Sequence, residues 1–295
     1  MPFRHCLLAA VVVIASTHAI AQAPDTLAKA RSSGVITMGV RESSAPLSYA
    51  VGGNRYVGYH VELCERVIAA LLPNVRIQYQ SVTSQNRIPL VQNGTVDIEC
   101  GSTTNNQARK QQVSFAVTTY VTEARFAVRA SSGIERVEQM RGKTIVTTTG
   151  TTLVQRLRRL ERQGLTFTTV LGKDHADSFL LLESGRADAF AMDDNTLAGN
   201  IAASRNPKDF KVVGEPLGVE PIAIMLPRDD ARFKAAVDGE IQKLMRSGEL
   251  EQLYTKWFMQ PIPPNGAVIN IPFPQTLRAA FQRPNDDPAE TYEKD

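Results

Sequence analysis

Val61-Glu-Leu-Cys-Glu-Arg-Val-Ile-Ala-Ala-Leu-Leu72 places Val61, Cys64, Ile68 and Leu71 on one face of a helix, since side chains three and four residues apart lie over one another. Before it, Val35-Ile-Thr-Met-Gly-Val40 reads as a strand, and Gly52-Gly53-Asn54 is a hairpin signal between aromatic, β-prone runs. After it, a strand is predicted over 75–82 and a short helix from about Ser84 to the stop at Asn93-Gly94. Another strand follows in Thr95-Val-Asp-Ile-Glu-Cys100, where Val96, Ile98 and Cys100 alternate with Asp97 and Glu99 as in a half-buried strand. This order builds a mostly parallel sheet covered by helices.

The theme returns further along. An extended run over 121–129 leads to a helix over 134–140, a strand over 143–148, a helix over 151–163 and a strand over 165–170. A helix over 176–183 stops at Ser184-Gly185, a short buried strand covers 187–192, and a helix runs from about Asp194 to Ala203. The chain then reads extended over 211–226, where Gly218-Val-Glu-Pro-Ile-Ala-Ile-Met225 is expected to cross between lobes. Helices over 230–245 and 249–258 precede a segment rich in proline, a short helix near Gln275–Gln282 and a charged end expected to fray. Two βα lobes joined by extended segments imply an α/β protein with a cleft between them, where loops at the carboxyl ends of strands hold ligands.

With 295 residues, 43% of them apolar and 21% charged, the chain can bury a substantial core. Its net charge of +3, without a basic run interleaved with aromatics, disfavours nucleic acid as a partner. Three cysteines and four histidines lack metal-site spacing, so neither a metal nor a cofactor is expected. Arg4 and His5, the apolar run over 6–16 and the small residues Ala19, Ala21 and Ala23 form the pattern of a secretory signal peptide over 1–23. Its apolar core is too short for an ordinary spanning helix. Export leaves Cys64 and Cys100, which face a shared helix–sheet core where a disulfide can persist, two free buried thiols being the alternative.

Polar residues gather after the strand ends. Arg41 follows the first strand directly, Arg87 lies in Thr83-Ser-Gln-Asn-Arg-Ile-Pro89, and Arg109 follows Cys100-Gly-Ser-Thr-Thr-Asn-Asn106. A guanidinium presents a fork of donors that matches a carboxylate, and Ser84, Ser102 and Thr104 add neutral donors beside the three arginines. Each arginine alone is more ordinarily a solvated surface residue; their grouping argues for a site. Thr147-Thr-Thr-Gly-Thr-Thr152 joins a strand to a helix and could cap that helix or bind an anion there, but lacks the Gly-Lys-Ser/Thr of a nucleotide loop. His175 lies at a helix start, and Asp193 could cap the next helix or accept an ammonium group. An α-amino acid needs a cation for its carboxylate and an anion for its ammonium. Further arginines imply a second carboxylate, hence an acidic amino acid.

Arg41-Glu-Ser-Ser44, Thr83-Ser-Gln-Asn-Arg-Ile-Pro-Leu90, Glu99-Cys-Gly-Ser-Thr-Thr-Asn-Asn106, Asp174-His175, Leu182-Glu-Ser-Gly-Arg186, Met192-Asp-Asp194, Lys256-Trp-Phe258 and Pro261-Ile-Pro-Pro264 resemble, in collinear order, the periplasmic glutamate/aspartate-binding proteins of ABC importers. The resemblance implies a two-lobed periplasmic binding protein of type II-like architecture, its ligand cleft lying between lobes joined by two extended crossovers. Lobe 1 is then expected over 24–122 and 219–295, and lobe 2 over 123–218. The resemblance assigns Ser102, Thr104 and Arg109 to the α-carboxylate and Asp193 to the ammonium. Arg41, Ser84, Arg87 and His175 would surround the side-chain carboxylate, with Thr151 and Thr152 contributed by the second lobe. A periplasmic monomer that hands L-glutamate or L-aspartate to an inner-membrane permease is the implied function. An exported enzyme on the same fold, such as a cyclohexadienyl dehydratase, and a ligand sensor acting through a receptor partner are the alternatives.

Overall fold

A computed structural model describes residues 25–292; the expected signal peptide over 1–23 lies outside the described residues. The elements run in the order α1 (Thr26–Ser33), β1 (Val35–Val40), β2 (Ser43–Ser44), β3 (Ser48–Ala50), β4 (Tyr56–Val57), α2 (Tyr59–Leu71), β5 (Arg76–Ser81), α3 (Arg87–Gln92), β6 (Ile98–Glu99), α4 (Gln107–Lys110) and β7 (Ser114–Phe115). They continue with β8 (Tyr120–Arg129), β9 (Thr144–Thr148), α5 (Leu153–Arg162), β10 (Thr168–Gly172), α6 (His175–Glu183), β11 (Ala189–Asp193), α7 (Asp194–Ala203) and β12 (Phe210–Val213). The chain closes through β13 (Val219–Ile222), β14 (Met225–Leu226), α8 (Ala231–Ser247), α9 (Glu249–Met259), α10 (Gln275–Gln282) and α11 (Ala289–Tyr292).

Two sheets carry two lobes. The first has the order β5-β1-β6-β14-β7 and the second β10-β9-β11-β8-β12. Apolar side chains follow the same division: Ile36, Val67, Ile98, Phe233 and Trp257 share one large cluster, while Phe126, Ile145, Leu157, Phe190 and Leu197 share another. Strand β8 links the lobes. Tyr120–Ile222 through Glu123–Val219 pair it antiparallel with β13, so the two crossings are hydrogen-bonded to each other, and the remainder of β8 pairs with β11 and β12 in the second sheet.

Several expectations need correction. Each sheet is mixed: one strand, β14 in the first and β8 in the second, runs against the others, so that β7 and β12 beyond it point the same way as the three parallel strands. The predicted helix over 134–140 is reduced to a 3-10 turn over Val137–Met140, where the Gln139 side chain accepts from the backbone N–H groups of Glu135 and Arg136. The strand predicted over 165–170 moves to Thr168–Gly172, since Gly164 turns left-handed and Leu165 N–H bonds back to Leu160 O. Asp97 and Glu99 are not on a solvated face: β6 lies inside its sheet, and both carboxylates are buried. The charged end, as far as Tyr292, is docked rather than frayed. Thr118 N–H donates to Asn285 O, Asn105 Nδ2 to Asp286 O, and Ala289 N–H to Asn105 O, which ties the tail to the segment carrying Thr104 and Arg109.

Cys64 on α2 and Cys100 after β6 form a disulfide within the apolar core of the first lobe. The helix face Val61, Cys64 and Ile68 is buried as its spacing predicts, but Leu63 and Val67 are buried too, because α8 and α9 cover a second side of α2.

Candidate functional site

The predicted site residues meet between the lobes. Arg41 follows β1, Arg87 opens α3, Ser102 and Thr104 follow β6, and Arg109 lies in α4. From the other side come Thr151 and Thr152 after β9, His175 at the start of α6 and Asp193 at the end of β11. These positions sit at the carboxyl ends of parallel strands, where βα connections leave side chains free of the ladder. Local caps fix several of them. Asn106 accepts from Arg109 N–H to start α4, and Asp174 accepts from Asp177 N–H to start α6, which sets His175 on its first turn. Gly150, at φ +80°, makes the turn after β9 that lets Thr151 Oγ1 donate to Thr148 O at 2.7 Å.

Arg41 organises one end. Its Nη2 donates to Ser84 Oγ at 2.9 Å and its Nη1 to Ser102 Oγ at 3.2 Å, while Nη2 also lies 3.5 Å from His175 Nε2 in the facing lobe. A guanidinium can only donate, so Nε2 is the acceptor and Nδ1 carries the proton, 2.9 Å from Thr148 Oγ1. Burial, then Arg41 and Arg87, hold His175 well below the ordinary histidine range, so it is neutral. Arg87 Nη1 donates to Ser102 O at 3.1 Å. Its Nε has no partner among the described residues. Burial and the neighbouring Arg87 lower Arg41 to about 9 and Arg109 to about 10, which leaves both charged at neutral pH.

Arg109 bridges the lobes at the other end. Nη1 donates to Thr104 O at 2.9 Å and Nη2 to Gly150 O at 3.2 Å. Asp193 stands at the helix-capping position, yet its side chain makes no capping bond, and its Oδ1 is buried without a partner among the described residues. Burial first, then Glu220 and Asp194, push its carboxyl well above the usual range, against the pull of Arg87 and Arg109. Thr152 is half-buried and lines a cavity of about 380 Å³ with Thr151, Arg109, Gln155 and Glu220.

The lobes touch closely around this site. A Cβ at Gly150 would lie 2.6 Å from Ser84 O, and a Cβ at Gly199 on α7 would lie 2.3 Å from Ala45 O in the first lobe.

Residue-level reading missed two buried acids. Glu99 accepts from Thr103 Oγ1 at 2.6 Å, packs against Gly101 and offsets the charge of Arg41 and Arg87; its alternation with Ile98 and Cys100 points instead to the polar side of a strand. Glu220, in the crossover, accepts from Arg156 Nε at 2.7 Å and is fully buried. A carboxylate beside Pro221 in an otherwise apolar extended run was its only sequence signal.

Residues 36–260 match the family described as bacterial extracellular solute-binding proteins, family 3. The chain is 42% identical over 274 residues to an L-glutamate/L-aspartate-binding protein of Pseudomonas aeruginosa, covering 90% of each chain. It is 39% identical over 290 residues to a glutamate/aspartate import solute-binding protein of Escherichia coli, covering 94% of this chain and 96% of that one. Among solved structures, the cysteine-binding protein from Campylobacter jejuni superposes with a TM-score of 0.71 at 25% identity, over 79% of this chain and 93% of its own.

Proposed function

Because the chain belongs to the bacterial extracellular solute-binding proteins of family 3, we propose that it captures an acidic amino acid, L-glutamate or L-aspartate, and delivers it to the permease of an ABC importer. The observation that carries this reading is the charge balance of the cleft. Three buried arginines, Arg41, Arg87 and Arg109, gather at the carboxyl ends of the first lobe's strands, and from the second lobe comes Asp193, whose Oδ1 is buried without a partner among the described residues. Two carboxylates and one ammonium complement that set.

In this reading Arg109, Ser102 and Thr104 take the α-carboxylate and Asp193 the ammonium. Arg41, Ser84, Arg87 and His175 surround the side-chain carboxylate, and Thr151 and Thr152 close over the ligand. The two lobes, 24–122 with 219–295 and 123–218, bend about the paired strands β8 and β13. The arginine-bearing lobe meets the ligand first, and closure adds the contacts of His175, Thr151 and Asp193. The protein acts as a periplasmic monomer, with residues 1–23 directing export. Binding rather than catalysis is its role: His175, the one apparent acid–base candidate of the cleft, is committed to Thr148 and Arg41.

Calorimetric titration tests this. The mature protein, unfolded and refolded to strip carried-over ligand, is titrated with L-glutamate, L-aspartate, L-glutamine and succinate. Tight one-to-one binding of the two acidic amino acids alone is expected. Folded protein that binds none of the four would mean the arginines serve another anion.

A further inference from the structure

Glu220 is fully buried on β13, within the second crossing between the lobes. Arg156 of α5 grips it from one side: Nε donates to Glu220 Oε1 at 2.7 Å, while Nη1 and Nη2 donate to the crossover carbonyls of Leu217 and Val219. The other oxygen, Oε2, has no hydrogen-bond partner among the described residues. A buried ion pair with one oxygen of its carboxylate unsatisfied is costly if it serves structure alone. The side chain lines the same cavity as Arg109 and Thr151.

Electrostatics places Glu220 more narrowly. Of the charges acting on Asp193, that of Glu220 acts most strongly, and at Arg109 the effect of Glu220 exceeds that of Asp193. The strand register agrees: Glu220 pairs with Thr122 and Asp193 with Ala124, two residues apart on β8, so both carboxylates project from one face of the sheet, and Glu220 shares its cavity with Arg109.

We propose that Glu220 is a second carboxylate of the ammonium subsite, held in place by Arg156 so that, with Asp193 and opposite Arg109, it selects and orients a ligand bearing a positive group on its α-carbon. This deepens the acidic amino-acid reading and rests on it. The groups that bear on Asp193 include Glu220 on β13, Asp194 on α7, Arg87 on α3, Arg109 on α4, Arg41 after β1 and Tyr120 on β8, with Arg156 of α5 on Glu220.

One consequence separates this role from a structural one. A carboxylate of the ammonium subsite acts only on ligands that carry the ammonium group. L-Glutamate and 2-hydroxyglutarate, which has no ammonium group, are each titrated calorimetrically into the full chain of wild type and of Glu220→Gln. Glu220→Gln is expected to weaken L-glutamate by about tenfold or more beyond any loss for 2-hydroxyglutarate, and Glu220→Asp, which keeps the charge, is expected to recover most of that difference. A folded Glu220→Gln protein that weakens both ligands equally would overturn the assignment. If that variant does not fold, Glu220→Asp decides: the shortened carboxylate must still weaken L-glutamate more than 2-hydroxyglutarate, and equal effects would overturn it. Wild type that does not bind L-glutamate brings down the acidic amino-acid reading itself.

Discussion

Arg109 holds its fork by donating to Thr104 O in one lobe and Gly150 O in the other, so one guanidinium touches both lobes; in the proposed reading it also meets the α-carboxylate. Lysine would keep the charge and lose the fork. Arg109→Lys is therefore expected to weaken L-glutamate by about a hundredfold or more in calorimetry, and a loss under tenfold would mean that charge alone suffices there. Arg87 is expected to behave differently. Arg87→Ala should weaken L-glutamate far more than L-glutamine if, as proposed, its partner is the side-chain carboxylate; equal losses would overturn that division of roles. Asp193→Asn should weaken L-glutamate more than a dicarboxylate of matching length, as the amide can no longer oppose an ammonium charge. The residue types and their charge logic were legible in the sequence. Glu220 and Glu99 were not, since a lone acid in an apolar run shows its partner only when the chain is folded.

At the scale of elements, α2 and the end of β6 are tied by Cys64–Cys100, 36 residues apart. Opening a loop of that length costs about 4 kcal/mol on chain-entropy grounds. Urea unfolding of the Cys64→Ser/Cys100→Ser protein is expected to show a loss of that order, and a loss below 1 kcal/mol would show that the unfolded chain is already constrained there. The alternating pattern of 95–100 revealed the strand but misplaced Asp97 and Glu99. Periodicity reports two faces, and it cannot tell that both are covered. Asp97 accepts from Thr37 N–H and Lys29 Nζ, and Glu99 from Thr103 Oγ1, so each buried acid has a partner supplied by another segment or turn. The tail is the opposite case. Its composition predicts fraying, while its docking rests on backbone carbonyls that composition does not register.

For the whole molecule, two properties follow. Gly199 lies in the middle of α7, and the three atoms that a Cβ there would meet first all belong to Ala45 in the facing lobe. Gly199→Ala is expected to leave the ligand-free protein as stable as wild type or slightly more so, given the helix preference for alanine. It should nevertheless weaken ligand binding about ten- to a hundredfold by obstructing closure. Lost stability with unchanged affinity would make this contact permanent packing. The second property is acid sensitivity. His60 links Gly101 O at 2.6 Å and Thr119 Oγ1 at 2.9 Å, and burial lowers it to about 4. The fold holds the neutral ring, while the unfolded chain takes up a proton below about pH 6.5. Stability is thus present above that pH and falls by about 3 kcal/mol as pH drops toward 4. His175 acts in the same direction. Urea unfolding at several pH values should show the fall, and His60→Asn should flatten part of it; an unchanged slope would remove His60 as a source.

Short-range rules account for the alternation of strands and helices, the stops at glycine, and the clustering of arginines, threonines and Asp193 at strand ends. Each is set by neighbours within a few residues, through periodicity, capping and turn chemistry. The tertiary structure alone decided how those loops face one another. It decided that His175 is neutral, because that depends on burial beneath Arg41, 134 positions away. It placed Glu220 and Arg156, 64 positions apart, at the same cavity, and set Gly150 and Gly199 against the opposite lobe. Desolvation and charge act through space, and only folding brings distant charges into one dry cleft.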